Sequence, residues 1–442
     1  RPAGHSRPAV RRFGRSAAAA RRPSQPAGTA AVVQISLPAP GGPLPRPHRR
    51  AAGLPDPDRA FRHGAGGLPP RPGGLRSRAR AAVAAWRLPS GWRRAMAQPN
   101  PAADRSPEAA GDVHELRVGR RAMACLFEIV FNAGEYPDAT PIAVEALDLV
   151  DRIEERLTVY RGHGEVMGIN ERAAREPVRV GADLMQLLQR ARELYDLTGG
   201  GFDIAAGRLV RTWGFLAGRG ATPTDAVLAE ALARSGMDHV ELDPAASTVR
   251  LRRDGVEINL GSIGKGWAVD LAVELLARRG IGHVLVHGGQ SSVRALGNRR
   301  SAIAQAGWPV GLQHPLRPGV RLANFRLRNA ALGTSGSGTR FFVEEGRRIG
   351  HILDPRSGRP AEGVLSATVV APTAADADAL ATAAYVLGAD ELGRIAAPGG
   401  PVGAILVEPA ASRAAVRVVR ANLGEEVCRI EPIPGVEIVD RD

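Results

Sequence analysis

This 442-residue chain is poor in four things: aromatic residues are 4% of it, cysteines number two, no apolar run is long, and Lys265 is the only lysine among 59 basic residues. Cys125 and Cys428 carry no metal or redox spacing, which excludes a disulfide-stapled scaffold and the usual zinc modules. No stretch approaches the ~18 apolar residues of a membrane-spanning helix, so no integral membrane segment is expected. What is present, 44% apolar and 24% charged residues, excludes a collagen-like or wholly disordered chain. The length allows two or three domains, or one large domain with an appendage.

The net charge of +14 suggests a nucleic-acid partner until it is located. Residues 1–95 hold 19 arginines against Asp56 and Asp58, a charge of +17, which leaves −3 for the rest. That arm is rich in Arg, Pro, Ala and Gly, without hydrophobic periodicity or interleaved aromatics. It reads as disordered rather than as a nucleic-acid surface. Arg11 and Arg12 precede Phe13 as in a twin-arginine signal, but only Ala17 to Ala20 follow before Arg21, too short for an export core. Residue 1 is Arg, and Met96 precedes the first sustained apolar alternation. The expected organisation is therefore a disordered segment over 1–95 that need not belong to the native protein, a linker over 96–112, and a folded domain over 113–442.

Within the domain, periodicity predicts helices over about 141–157, 183–197, 224–235, 264–279 and 375–387. Short apolar or alternating runs predict strands near 126–131, 239–242, 248–251, 283–287, 291–296, 309–313, 321–327, 340–344, 365–371, 402–407 and 414–419. The two types mix without strict alternation, which argues for an α+β fold.

Four constellations could carry chemistry. Lys265 stands in Asn259-Leu260-Gly261-Ser262-Ile263-Gly264-Lys265-Gly266, between a strand and a helix, where glycines and a helix N-terminus suit a phosphate. Its spacing fits neither a P-loop nor a dinucleotide fingerprint, and simple turn chemistry is as good a reading. Asp378 and Thr382, four apart on one helix face, could present oxygens to Mg2+; equally, an Asp in a first turn caps the helix. His351 and Asp354 in His351-Ile352-Leu353-Asp354-Pro355 could form a proton-accepting pair, or a merely packed turn. Thr198-Gly199-Gly200-Gly201-Phe202-Asp203, followed by Trp213-Gly214-Phe215, could stack a flat ring or simply fill a core turn.

Taken together, these stretches resemble the ApbE family of FAD:protein FMN transferases. The collinear matches are Met123-Ala124-Cys125, placed in an early strand, then Leu157-Thr158-Val159-Tyr160-Arg161 with Asn170, and Gly200-Gly201-Phe202-Asp203 with Trp213-Gly214-Phe215. They continue through Asn259 to Asp270, Gly333-Thr334-Ser335-Gly336, His351 to Pro360, and Ala377 to Thr382. The resemblance covers about 117–390. It implies a single T-fold-related α+β domain of mixed and antiparallel sheets with packed helices. It also implies transfer of FMN from FAD to a Thr or Ser hydroxyl of an acceptor protein, with release of AMP.

By the same resemblance, Mg2+ is held by Asp378, Thr382 and the backbone carbonyl of Ser262. FAD, here a substrate, contacts Met123, Tyr160, Gly201, Phe202, Asp203, Asn259, Lys265 and Ile352. His351, supported by Asp354, is the general base on the acceptor hydroxyl, which belongs to a redox or electron-transport subunit. The chain departs from the family pattern at Asn259, where many members have Asp, and at His287-Gly288-Gly289-Gln290-Ser291-Ser292, where Asn-x-Gly-Gly-Asp is commoner. Two alternatives share the motifs: an Mg2+-dependent FAD pyrophosphatase, and a non-catalytic FAD-binding accessory protein. The missing export core points to the cytoplasm and the family resemblance to the periplasm, so the compartment stays open. Deleting residues 1–95 is expected to leave FAD turnover unchanged; lost turnover in that truncation would give the arm a functional role.

Overall fold

The computed structural model describes residues 31–33 and 114–441, apart from 161, 217, 219, 301–305, 337, 339, 411, 413 and 414. The expected disordered segment and linker thus lie outside the described residues, except for strand β1, Ala31–Val33.

Two long strands, β2 (Glu115–Ala122) and β3 (Cys125–Asn132), form a hairpin that leads into helix α1 (Ala139–Leu157). Met123 and Ala124 sit in the two-residue turn of that hairpin with φ of 49° and 59°, not inside a strand as the sequence suggested. Both residues in the left-handed region make the turn whose twist matches that of the flanking strands. In α1 the buried positions Ala139, Ala143, Ala146, Leu147, Val150 and Ile153 repeat at helical spacing. Next come α2 (Glu165–Arg172), β4 (Val178–Arg179), α3 (Ala182–Thr198), α4 (Gly207–Thr212), α5 (Asp225–Ala233), β5 (Val240–Asp243), β6 (Thr248–Leu251) and α6 (Gly264–Arg278).

The chain then runs mostly as strands: β7 (Val284–Gly288), β8 (Ser292–Leu296), β9 (Trp308–Gln313), β10 (Arg321–Leu327), β11 (Ala330–Gly336), β12 (Phe341–Glu344), β13 (Arg347–Gly350) and β14 (Ser366–Ala371). Helix α7 (Ala374–Leu387) and strands β15 (Gly403–Pro409), β16 (Val416–Ala421), β17 (Cys428–Ile430) and β18 (Val436–Arg441) complete it. Ten strands make one sheet in the order β1-β2-β3-β7-β8-β11-β14-β15-β16-β18. Every pairing in it is antiparallel except β16 with β18. The result is the expected α+β architecture.

Side-chain alternation explains why this sheet is covered on both faces. In β7, Val284 and Val286 join the core that contains α1, α6 and α7, while Leu285 joins a second core with Trp308 and Phe325. In β15, Ala404 and Leu406 face the helices, and Ile405 and Val407 face the small sheet β17-β10-β9. Helix α7 lies very close to the sheet and to α6. A β-carbon on Gly266 of α6 would sit 2.1 Å from the Ala374 carbonyl oxygen, and one on Gly333 of β11 would sit 2.3 Å from the Ala377 carbonyl. The stretch 333–336, outside every predicted strand, is thus part of strand β11, and its Gly333 admits a helix backbone. Gly333→Ala is expected to cost ~1–3 kcal/mol, because the obstacle is backbone and cannot rotate away. An unchanged denaturant midpoint would show that α7 can retreat.

Candidate active site

The turn before α6 is built by Asn259, whose Oδ1 accepts the Gly261 N–H at 2.8 Å, and by the Leu260 carbonyl, which accepts the Gly264 N–H at 2.7 Å. In an α-helix each amide bonds the carbonyl four residues back. Trp267 obeys this rule, bonding Ile263 at 3.0 Å. Gly266, the third residue of α6, is one of the first-turn amides that have no partner inside their own helix, and its N–H donates to Asp378 Oδ2 on α7 at 2.9 Å. Among the described residues no backbone amide reaches the carbonyl of Ser262, the partner that Gly266 forgoes.

Asp378 is 5% exposed, and its Oδ2 also accepts from Ser292 Oγ at 2.7 Å and lies 3.5 Å from Lys265 Nζ. No hydrogen bond from the described residues goes to Oδ1. Burial pushes this carboxyl above its ordinary range, opposed by the Lys265 charge and by the Ser292 and Gly266 bonds. One turn on, Thr382 Oγ1 donates to the Asp378 carbonyl at 3.1 Å and lies 3.1 Å from Ser335 Oγ. Lys265 itself is 28% exposed in its side chain, so its ammonium is open to a ligand.

His351 directly follows the hairpin β12–β13. Its Nδ1 is 3.0 Å from the Arg340 carbonyl oxygen, and the ring meets Phe215 edge-on at 6.4 Å. A carbonyl can only accept, so Nδ1 carries the proton and Nε2 keeps its lone pair. Burial lowers the imidazole below its ordinary value, and the charges of Arg340 and Lys265 lower it further. The thiol of Cys125 is raised by burial and also feels Lys265 and Asp378. Lys265, Asp378, His351 and Cys125 therefore lie within electrostatic reach of this one cluster.

Asp354 does not support His351 as the sequence suggested. Its Oδ1 accepts the Arg356 amide at 2.9 Å and Arg356 Nε at 2.8 Å, and its Oδ2 accepts Arg356 Nη2 at 2.8 Å. Arg356 is two residues away and offers three donors, so it takes the carboxylate, and the Arg340 carbonyl orients the imidazole instead.

The other expected residues are placed as follows. Met123, at the hairpin tip, donates its amide to Glu154 Oε2 at 2.7 Å, and Tyr160 stands 61% exposed after α1. Gly201 allows the close approach of Leu387, whose Cγ would be 2.8 Å from a β-carbon there. Phe202 and Ile352 are buried. Asp203 accepts the amides of Ala205 at 2.7 Å and Met237 at 3.1 Å. The unforeseen members are Ser292, Ser335 and the Arg340 carbonyl. Ser335 carried a signal as part of the matching Gly333-Thr334-Ser335-Gly336, and Ser292 as the end of the stretch that departs from the family wording; the Arg340 carbonyl carried none. Among the described residues no three His, Cys, Asp or Glu side chains converge as metal ligands.

Residues 123–406 match the ApbE family, a span that holds Lys265, Ser292, His351, Asp378 and Thr382. The chain belongs to the ApbE family. A FAD:protein FMN transferase of Treponema pallidum is 37% identical over 256 residues, 55% of this chain and 70% of that protein. Another, of Klebsiella pneumoniae, is 31% identical over 258 residues, 58% and 78% of the two chains. The ApbE protein of Thermotoga maritima superposes with a TM-score of 0.60 at 30% identity, over 66% of this chain and 94% of that one. Flavin transferase ApbE of Vibrio cholerae shares the fold, with a TM-score of 0.61 at 23% identity over 70% and 97% of the chains. The ApbE match starts at the Met123 turn and ends in β15, so it spans every residue of the cluster.

Burial drives the Asp203 carboxyl up to about 6, against the pull of its two amide donors. A carboxyl raised on folding takes up its proton more readily in the native state, so stability falls as pH rises from the unfolded value near ~4 towards ~6. Asp203→Asn removes this dependence. Relative to the variant, the wild type is expected to lose about 2 kcal/mol between pH 4 and 7; parallel denaturation curves at the two pH values would refute it.

Proposed function

We propose that this ApbE chain transfers FMN from FAD to a Thr or Ser hydroxyl of an acceptor protein, with Mg2+ bound and AMP released. The observation that carries the reading is that two oxygens on either side of the Gly266–Asp378 bond, Asp378 Oδ1 and the Ser262 carbonyl, take no hydrogen bond among the described residues. Thr382, one turn on from Asp378 in the same helix, supplies a hydroxyl. A carboxylate, a carbonyl and a hydroxyl fit Mg2+, which takes a few protein oxygens and completes its shell with water and phosphate. Bound there, Mg2+ supplies positive charge to the diphosphate of FAD.

The chain's own residues do the rest. Lys265 puts an ammonium next to the same phosphates, and Tyr160 offers an exposed ring for stacking. Met123, Gly201, Ile352 and Asn259 wall the ligand, and Phe202, with its side chain buried, and Asp203, whose carboxylate is taken by the Ala205 and Met237 amides, serve it through their backbone. His351 Nε2 takes the proton from the acceptor hydroxyl as its oxygen bonds the flavin-side phosphorus. The bond from that phosphorus to the bridging oxygen breaks, and AMP leaves with that oxygen. Because the nucleophile belongs to the acceptor, this chain needs no internal triad.

The test is incubation of the purified protein with FAD, Mg2+ and a redox subunit bearing the target hydroxyl, read by in-gel flavin fluorescence and AMP release. Asp378→Ala is expected to lower AMP release by ~100-fold while FAD affinity persists. Unchanged turnover in this variant refutes the metal assignment. Free FMN without a labelled acceptor makes the protein a pyrophosphatase.

A further inference from the structure

Behind the Lys265–Asp378 contact lies a second, fully buried set of charges that touches no substrate atom in the mechanism above. Asp270 stands one turn after Gly266 on α6 and is 0% exposed. Its Oδ1 accepts from Arg294 Nη1 at 2.7 Å and from the Ala374 amide at 2.9 Å, and its Oδ2 accepts the Ala375 amide at 2.9 Å. Those two amides open α7 and have no partner inside their own helix. Arg294, 6% exposed, comes from β8, two residues after Ser292 and on the same face of the strand.

The two sets repeat each other one step apart. Residues 266 and 270 share a face of α6, residues 374 and 378 share a face of α7, and residues 292 and 294 share a face of β8. In the first set Ser292 and the Gly266 amide hold Asp378; in the second Arg294 and the α7 amides are held by Asp270. A buried ion pair stabilises a fold weakly compared with apolar residues of equal size. Its specific consequence here is geometric, because it fixes three elements against one another at the level where Asp378 must take the Gly266 amide.

We propose that Asp270 and Arg294 are positioning residues for the cation site: they dock the start of α7 so that Gly266 bonds Asp378 and leaves the Ser262 carbonyl and Asp378 Oδ1 for the metal. The inference rests on the metal reading of the previous section and extends it to side chains outside the ligand set.

The test compares Asp270→Asn, Arg294→Met and the double variant with the wild type by two measurements: thermal midpoint, and Mn2+ binding followed by the electron paramagnetic resonance of the free ion. Each single variant strands one buried charge or donor and is expected to lower the midpoint. Mn2+ affinity is expected to fall by roughly tenfold or more, as for other groups that orient metal ligands. The double variant removes the stranded charge, so its midpoint returns towards the wild-type value while Mn2+ affinity stays low. Should a single variant not fold, the double variant decides alone. Wild-type Mn2+ affinity in the double variant overturns the proposal and reduces the pair to a purely structural role. Asp378→Ala is the control: Mn2+ binding unaffected by it refutes the metal reading itself, whereas binding lost with it and kept in the double variant refutes only the positioning role.

Discussion

One amide is given across a helix interface instead of along its own helix, and the site follows from that. Had the Gly266 N–H bonded the Ser262 carbonyl in the usual way, α6 would start one residue earlier and Asp378 would lose a donor to Oδ2. A buried carboxylate missing such a bond carries a desolvation cost of ~1–3 kcal/mol or more. The sideways bond requires the two helix backbones to meet, and glycine at 266 is the only residue that lets them, since a β-carbon would fall 2.1 Å from the Ala374 oxygen. Gly333 does the same for the strand on the other side of α7. The site is thus set by absent side chains as much as by present ones.

The same closeness concentrates charge in a dry place. Asp270 and Asp378 are both buried carboxyls that burial pushes upward, Asp270 to about 6. Each is answered by one cation from a different element and by backbone amides, which cannot move away. Amide donors at a helix start are well suited to this, because they are fixed in direction and already lack a helical partner. The two carboxyls differ in one respect: Asp270 uses both oxygens on the protein, and Asp378 keeps one back. That difference separates a residue that holds the structure from one that can hold a ligand.

Much of this could be read from residue order. The helices at 139–157, 182–198, 225–233, 264–278 and 374–387 show in their periodicity within a few residues. Lys265, Asp378, Thr382 and His351 stand in short motifs that could be picked out one by one. What could not be read was pairing across distance. Ser292 bonds Asp378 from 86 residues away and sits in a strand that looks like ordinary sheet. Asp354 looked like the partner of His351 because only Ile352 and Leu353 separate them. A carboxylate, however, goes to the best set of donors in reach, and Arg356 offers three. The stretch 333–336 falls outside every strand that the pattern predicts; the use of Gly333 against a helix backbone depends on where α7 lands, which no local pattern carries.

The one lysine is the last piece of the same logic. All other basic residues of the chain are arginine, so a cation at 265 could as readily have been a guanidinium. An arginine facing a carboxylate tends to take both oxygens with its planar fork, whereas an ammonium is a compact point charge. Lys265 lies 3.5 Å from Oδ2, and no hydrogen bond from the described residues goes to Oδ1. A fork there would occupy the oxygen left over for the proposed cation and would turn Asp378 into a second Asp270, closed on both sides. A single charge on a flexible stem neutralises one edge of the carboxylate and can still reach outward to a phosphate. The choice of side chain at 265 and the free oxygen at 378 are thus two expressions of one constraint: the carboxylate must be held firmly without being saturated.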